Sequence, residues 1–271
     1  MSSYCRKERT DMRLEIKNAI CGYGRSIVVK NISMNVSSGE ILCLLGPNGV
    51  GKTTFFKTIL GFLKLKGGEI LLDGENIHNW SRKKLAKTIG YVPQAHTPPF
   101  PFKVFDVVLM GRTAHLSTFS SPTKEDIGIA EEAINTLKIS YLKDKIYTEI
   151  SGGERQMVLI ARALAQQPKM LIMDEPTSNL DFGNQIRVLE QINKLSERGL
   201  AVVMTSHFPN HAFLCSTKVA LMEKNNVFTV GSVNEVVTED MLKKAYGIDV
   251  KIVTTVDSNG QQIKACVPMI N

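Results

Sequence analysis

The stretch Gly46-Pro47-Asn48-Gly49-Val50-Gly51-Lys52-Thr53 lies between the apolar run ILCLL and the segment TFFKTILGFLKL. It matches the pattern GxxxxGK[ST]. A short, continuous apolar run reads as a strand buried in a parallel sheet. The segment after the glycines reads as a helix running to Leu65. Strand, glycine loop and helix in that order point to an α/β architecture. The glycines let the backbone wrap closely and aim its N–H groups at phosphate oxygens. The helix that starts near Lys52 adds the positive end of its dipole. Lys52 is expected to reach the β- and γ-phosphates, the Thr53 hydroxyl to bind Mg²⁺, and Thr54 to complete the loop.

Other strand ends carry the remaining chemistry. KMLIMDE is an apolar strand that ends in Asp174 and Glu175. Asp174 is placed to hold the metal and Glu175 to polarise an attacking water as general base. Gln94 ends GYVPQ and His207 ends LAVVMTSH. At the carboxyl edge of a parallel sheet both face the crevice of the phosphate loop. Gln94 is expected to help place the metal, and His207 to contact the γ-phosphate. Asp181, in SNLD, follows closely enough to organise the carboxylate region. Tyr23 is an aromatic two strands before the loop and could stack on a purine.

Residues 95–166 have a different texture. HTPPFPFK reads as a loop; VFDVVLMGR, EDIGIAEEAINTLKI and GERQMVLIARALAQQ read as successive helices. They form a helical insert in a core made of 13–94 and 167–246. Thr123 and Asp126 can cap the second helix, and Ser81 can cap SRKKLAKTI. Residues 1–12 are expected to be loose and to carry no secretory signal. Residues 247–271 are expected to form a terminal hairpin with Asn259-Gly260 as its tight turn.

The formal charge is +7, an excess that fits nucleic acid, an anionic membrane surface, anionic small ligands or a basic surface with no special partner. It is scattered with no long basic run, and nucleic acid is not among the partners expected. Five cysteines, none spaced as CxxC, suggest neither a disulfide framework nor a zinc site. No apolar run reaches the ~18 residues that span a bilayer. Any membrane role then needs another chain to do the spanning.

The stretch ISGGERQ poses a question, because Ser151, Gly152 and Gly153 open a helix as a second anion-binding terminus. GPNGVGKTT, Gln94, ISGGERQ, MLIMDEP, SNLD and His207, in that order, resemble the ATP-binding subunits of ABC transporters. That resemblance covers roughly residues 13 to 255. It implies a P-loop NTPase (RecA-like) core with an N-terminal antiparallel β subdomain and an inserted α-helical subdomain. It implies Tyr23 as the adenine-stacking residue, and ATP with Mg²⁺ as cofactors. It implies that Ser151, Gly152, Gly153 and Glu154 complete the ATP site of a second copy, with Asp181 at the dimer seam. Ile150 and Glu154 depart from the usual LSGGQ, and Glu154 puts a charge near the phosphates. The resemblance further implies docking on two permease subunits near 95–121, with a substrate-binding protein acting indirectly, at the cytoplasmic face of a membrane. PFPFKVFDVVLMGR, LDFGNQIRVLEQI, SHFPNHA and KKAYGIDV are similar to ATPases of metal-chelate importers, which serve siderophore iron, haem, cobalamin or molybdate. Phe208 departs from the acidic residue that many relatives have there. A soluble ABC-type ATPase of cluster assembly or DNA maintenance is the rival reading. The DNA-repair forms carry a long coiled coil, of which the residues between Gln94 and Ser151 show no heptad pattern.

Overall fold

The computed structural model describes residues 12–94, 100–117 and 120–270. The expected loose N-terminus, Met12 apart, lies outside the described residues, as do 95–99 of the proline-rich loop and 118–119 of the expected docking stretch. The chain begins with strands β1 (Arg13–Tyr23) and β2 (Ser26–Ser37), then β3 (Ile41–Leu45), helix α1 (Lys52–Ile59), β4 (Gly67–Leu72) and β5 (Glu75–Asn76). Next come α2 (Arg82–Thr88), β6 (Ile89–Val92), α3 (Val104–Leu109), α4 (Lys124–Thr136), α5 (Gly152–Ala165) and β7 (Met170–Met173). The chain continues through α6 (Phe182–Glu197), β8 (Ala201–Ser206), α7 (Pro209–Cys215), β9 (Lys218–Met222) and β10 (Phe228–Gly231). It ends with α8 (Val233–Val236), α9 (Glu239–Tyr246), β11 (Val250–Val256) and β12 (Gln262–Pro268).

Three sheets result. A six-stranded sheet has the order β10-β9-β3-β8-β7-β6, parallel except for β10 at its edge. A four-stranded antiparallel sheet has the order β2-β1-β4-β5, and β11 and β12 form a separate hairpin. This is the α/β class expected from the sequence.

Alternation along the parallel strands serves two cores. Cys43, Leu45, Leu171, Met173, Val202 and Met204 face α3 to α7. Leu42, Leu44, Ile172 and Val203 face the antiparallel sheet and Phe55, Phe56 and Ile59 of α1. Both faces of the sheet are covered, so its central strands β3 and β7 are continuously apolar.

Two local expectations fail for stated reasons. Helix α1 stops at Ile59, short of Leu65. Gly61 (φ 73°) donates to Thr58 O, and Phe62 to Lys57 O. A glycine in the left-handed region closes the helix by satisfying its last carbonyls. The terminal hairpin turns through Ser258, Asn259 and Gly260 rather than through Asn259-Gly260 alone. Asp257 N–H donates to Gln261 O, and the Asp257 carboxylate accepts from the Asn259 and Gln261 amides. That carboxylate fixes a wider loop, with only Gly260 left-handed (φ 79°). Among the described residues, no helix is long and apolar enough to cross a membrane.

Candidate nucleotide site

Parallel strands end at a common edge, and four of them deliver the residues of interest. Gly46 follows β3, Gln94 lies just beyond β6, Asp174 follows β7 and His207 follows β8. This is the edge where open α/β sheets bind ligands.

The loop after β3 is held tightly. Gly51 (φ 109°) lies so close to β2 that a Cβ there would sit 2.4 Å from Val29 Cγ1. Lys52 is 6% exposed, and its Nζ donates to Gly46 O at 2.6 Å and to Pro47 O at 3.0 Å. Burial lowers the pKa of that ammonium, while Glu175 and Asp174 act in the opposite sense. The first amides of α1 have no helical acceptor, so the loop presents donors and a buried cation to an anion. Tyr23 is exposed at the end of β1, with its hydroxyl 3.5 Å from Thr54 Oγ1. An aromatic face thus stands beside the phosphate cradle.

Glu175 sits just past β7 with φ 48°. A left-handed non-glycine residue is uncommon and clusters at functional sites. Its conformation is held from the backbone: Asp174 N–H donates to Val92 O, and Glu175 N–H donates to Thr205 Oγ1 at 2.8 Å. The carboxylate then receives Gln94 Nε2 at 3.3 Å on Oε2 and meets His207 Nε2 on Oε1. Gln94, Glu175 and His207 are therefore brought together as the sequence suggested.

Sequence reasoning missed Thr205, whose hydroxyl donates to Asp174 Oδ1 at 2.9 Å. One threonine thus orients both carboxylate residues. A hydroxyl inside the apolar strand LAVVMTS was the available signal. Tyr246 was also missed: its hydroxyl accepts from Gly46 N–H at 3.1 Å. Nothing local in KKAYG announces a contact so distant in sequence.

Asp181 is not among the residues that touch Glu175. It caps α6, accepting from Asn184 N–H at 2.8 Å and from Asn184 Nδ2 at 2.6 Å. That clasp places Asn184 against Gly153, where an added Cβ would lie 2.4 Å from Asn184 Cγ. Asp181 thus belongs with the glycines of ISGGERQ rather than with the carboxylate pair.

Ser151 and Glu154 form a capping box at the start of α5. Ser151 N–H donates to Glu154 Oε2 at 2.8 Å, and Glu154 N–H donates to Ser151 Oγ at 3.3 Å. The Ser151 amide, ahead of burial and other contacts, holds the Glu154 carboxyl below its ordinary range. The charge expected to point at phosphates is engaged in its own helix cap. Among the described residues, no hydrogen bond or ion pair joins 151–154 to the phosphate loop of the same chain.

The fold and this edge define a nucleotide-binding P-loop protein of the α/β class. The ABC transporter family matches residues 29–178. An uncharacterized ABC transporter ATP-binding protein of Haemophilus influenzae is 44% identical over 87% of this chain and 89% of its own length. The iron(3+)-hydroxamate import ATP-binding protein of Bacillus subtilis is 35% identical over 88% and 89%. A metal-chelate type ABC transporter solved in an inward-facing conformation superposes with a TM-score of 0.85, at 30% identity, over 96% of this chain and 98% of that one. The chain belongs to the ABC transporter ATP-binding family, whose members are ATPases coupled to transport.

Proposed function

We propose that this chain is the ATP-hydrolysing subunit of an importer for an iron-siderophore or related metal chelate, working as a pair at the cytoplasmic face of a membrane. The observation that carries the reading is the contact of Gln94 and His207 with the two oxygens of Glu175, beside Lys52 of the phosphate loop. The importer class rests on the similarity to the iron(3+)-hydroxamate and metal-chelate proteins.

Lys52 and the amides of Gly49 to Thr54 hold the phosphates, and Tyr23 stacks on adenine. Thr53, Gln94 and Asp174 offer only oxygen donors with a single carboxylate, a set that suits Mg²⁺ shared with phosphates and water. Bound there, Mg²⁺ would neutralise charge on the β- and γ-oxygens. Glu175 takes a proton from the attacking water, and His207 donates to the γ-phosphate side.

Ser151, Gly152 and Gly153 address the ATP of a second copy, with Asp181 at the seam. The clasp of Asp181 and Asn184 against Gly153 supports treating these as one surface. To test this, nucleotide-driven dimerisation is measured by light scattering in a Glu175→Gln background. Adding Ser151→Ala is expected to weaken dimerisation about tenfold or more, as for one lost charge-assisted hydrogen bond. ATP binding by the monomer should stay unchanged. Loss of monomer binding would instead tie Ser151 to its own loop and remove the paired arrangement.

A groove of about 470 Å³ separates the parallel core from the helical segment, lined by Leu60, Phe62, Arg82, Met110, Ala114 and Arg162 among others. It supports permease docking at the described part of 95–121, and it adds residues from α2 and from beyond α1. Phe62 is 68% exposed and Met110 43% exposed. Exposed apolar side chains in a concave groove are what an inserted helix needs. Met110→Glu is expected to abolish co-purification with the permease while leaving the ATPase activity of the free chain intact. Normal assembly would move the docking surface elsewhere.

A further inference from the structure

His211 stands behind the catalytic edge and has no place in the roles above. It is 5% exposed, one turn into α7. Its Nδ1 lies 2.9 Å from Ser206 Oγ and 3.4 Å from Thr177 Oγ1. Ser206 immediately precedes His207; Thr177 follows Glu175 by one intervening residue. One ring nitrogen therefore touches both segments that carry the paired groups.

The hydrogen-bond directions follow from what each hydroxyl has left to give. Ser206 Oγ already accepts from Phe208 N–H at 3.0 Å. Its own proton has two acceptors in reach, Nδ1 at 2.9 Å and Phe208 O at 3.4 Å. We assign that proton to the shorter contact, Nδ1, which puts the ring proton on Nε2. Burial lowers the His211 pKa to about 4, which keeps the ring neutral and able to accept. The Phe208 ring, 5.2 Å away at 57°, closes the outer side of the imidazole. The backbone just after His207 is thus held by the hydroxyl of the residue just before it, and that hydroxyl is oriented by His211.

We propose that His211 is a positioning residue that holds the His207 segment in register with the Glu175 segment through Ser206 and Thr177. Its role is to place the groups that act, not to act on the nucleotide itself. The proposal rests on the roles given above to His207 and Glu175. It also accounts for Phe208, which provides an apolar cover over a buried imidazole.

The 271-residue chain is assayed for ATP hydrolysis with Mg²⁺ at pH 7.5. His211→Phe keeps a ring under Phe208 but offers no acceptor. It is expected to lower kcat about tenfold, the effect of one lost hydrogen bond, with KM for ATP unchanged within about twofold. His211→Asn supplies an acceptor oxygen near the Nδ1 position and is expected to restore kcat to within about threefold of the parent. Ser206→Ala should lower kcat like His211→Phe, and the double variant should be no slower than either single one. Ser206→Ala and His211→Asn keep the proposal testable if His211→Phe does not fold. Parent-like kcat in His211→Phe, a rise in KM alone, no rescue by Asn, or additive losses would each overturn the proposal. His207→Ala, run alongside, separates the two levels. Parent-like turnover there removes the His207 role itself, whereas an inactive His207→Ala beside an unchanged His211→Phe removes only the positioning.

Discussion

Glu175→Gln is expected to lower steady-state ATP hydrolysis by about 10²–10⁴-fold, the usual contribution of a general base. ATP affinity should change by no more than about threefold, because an isosteric amide leaves the phosphate cradle untouched. Three structural facts support so clean a split. The backbone of residue 175 is held by Thr205 Oγ1 and not by the Glu175 carboxylate, so the substitution does not free the loop. Its two oxygens are addressed by Gln94 and His207, and an amide can still present one acceptor to a donor there. The phosphate-binding amides and Lys52 belong to another strand end. Single-turnover assays with fluorescent ATP, read beside steady-state phosphate release, check both halves. Undiminished turnover would remove Glu175 as the base. Lost affinity would mean that it supports the cradle.

Arg112→Ala is expected to cost about 3–5 kcal/mol of folding stability, the penalty for leaving one partner of a buried ion pair alone. For a chain of this size that corresponds to a fall in Tm of roughly 6–20 °C. Arg112 and Asp126 side chains are 6% and 8% exposed and lie 2.9 Å apart. Arg112 also donates to Ala165 O at 2.8 Å and to Gln167 Oε1 at 3.1 Å, tying α4 to the end of α5. The Thr123 amide first, and then Arg112, hold the Asp126 carboxyl down at about 2. A depressed carboxylate contributes stability that is complete above its unfolded pKa near ~4 and is lost as the pH falls towards 2. Denaturant midpoints should therefore show a gap between the parent and Asp126→Asn at pH 7 that narrows between pH 4 and pH 2. A constant gap would assign the effect to packing alone.

Much of this was legible in the sequence because the chemistry lies at strand ends. An apolar run says where a parallel strand stops, and the polar residue after it must then face the ligand edge. Gln94, Glu175 and His207 were placed at that edge in this way, and Lys52 by the glycine pattern that follows such a run. What was not legible depends on contacts between distant segments. Arg112 reads as one more cation after VVLMG until α4 and α5 bring Asp126 and Ala165 to it. Tyr246 reads as the last residue of a capped helix until its hydroxyl reaches Gly46. The overrun of α1 has a different origin. Phe62, Leu63 and Leu65 continue the apolar texture past Gly61, and hydrophobic pattern outweighed the one residue that ends the helix.

The central sheet separates residues that are neighbours in the chain. Cys43 packs with Met173 and Met204 in one core, while the adjacent Leu44 packs with Phe55 and Ile172 in the other. Their side chains belong to different clusters, so a cavity opened by one substitution is not shared by the other. Cys43 and Met204, far apart in sequence, should be epistatic. Lineages of this chain can therefore repack the helical side in step without disturbing the wall behind the phosphate loop. Covarying positions along β3 should fall into two interleaved sets that ignore each other.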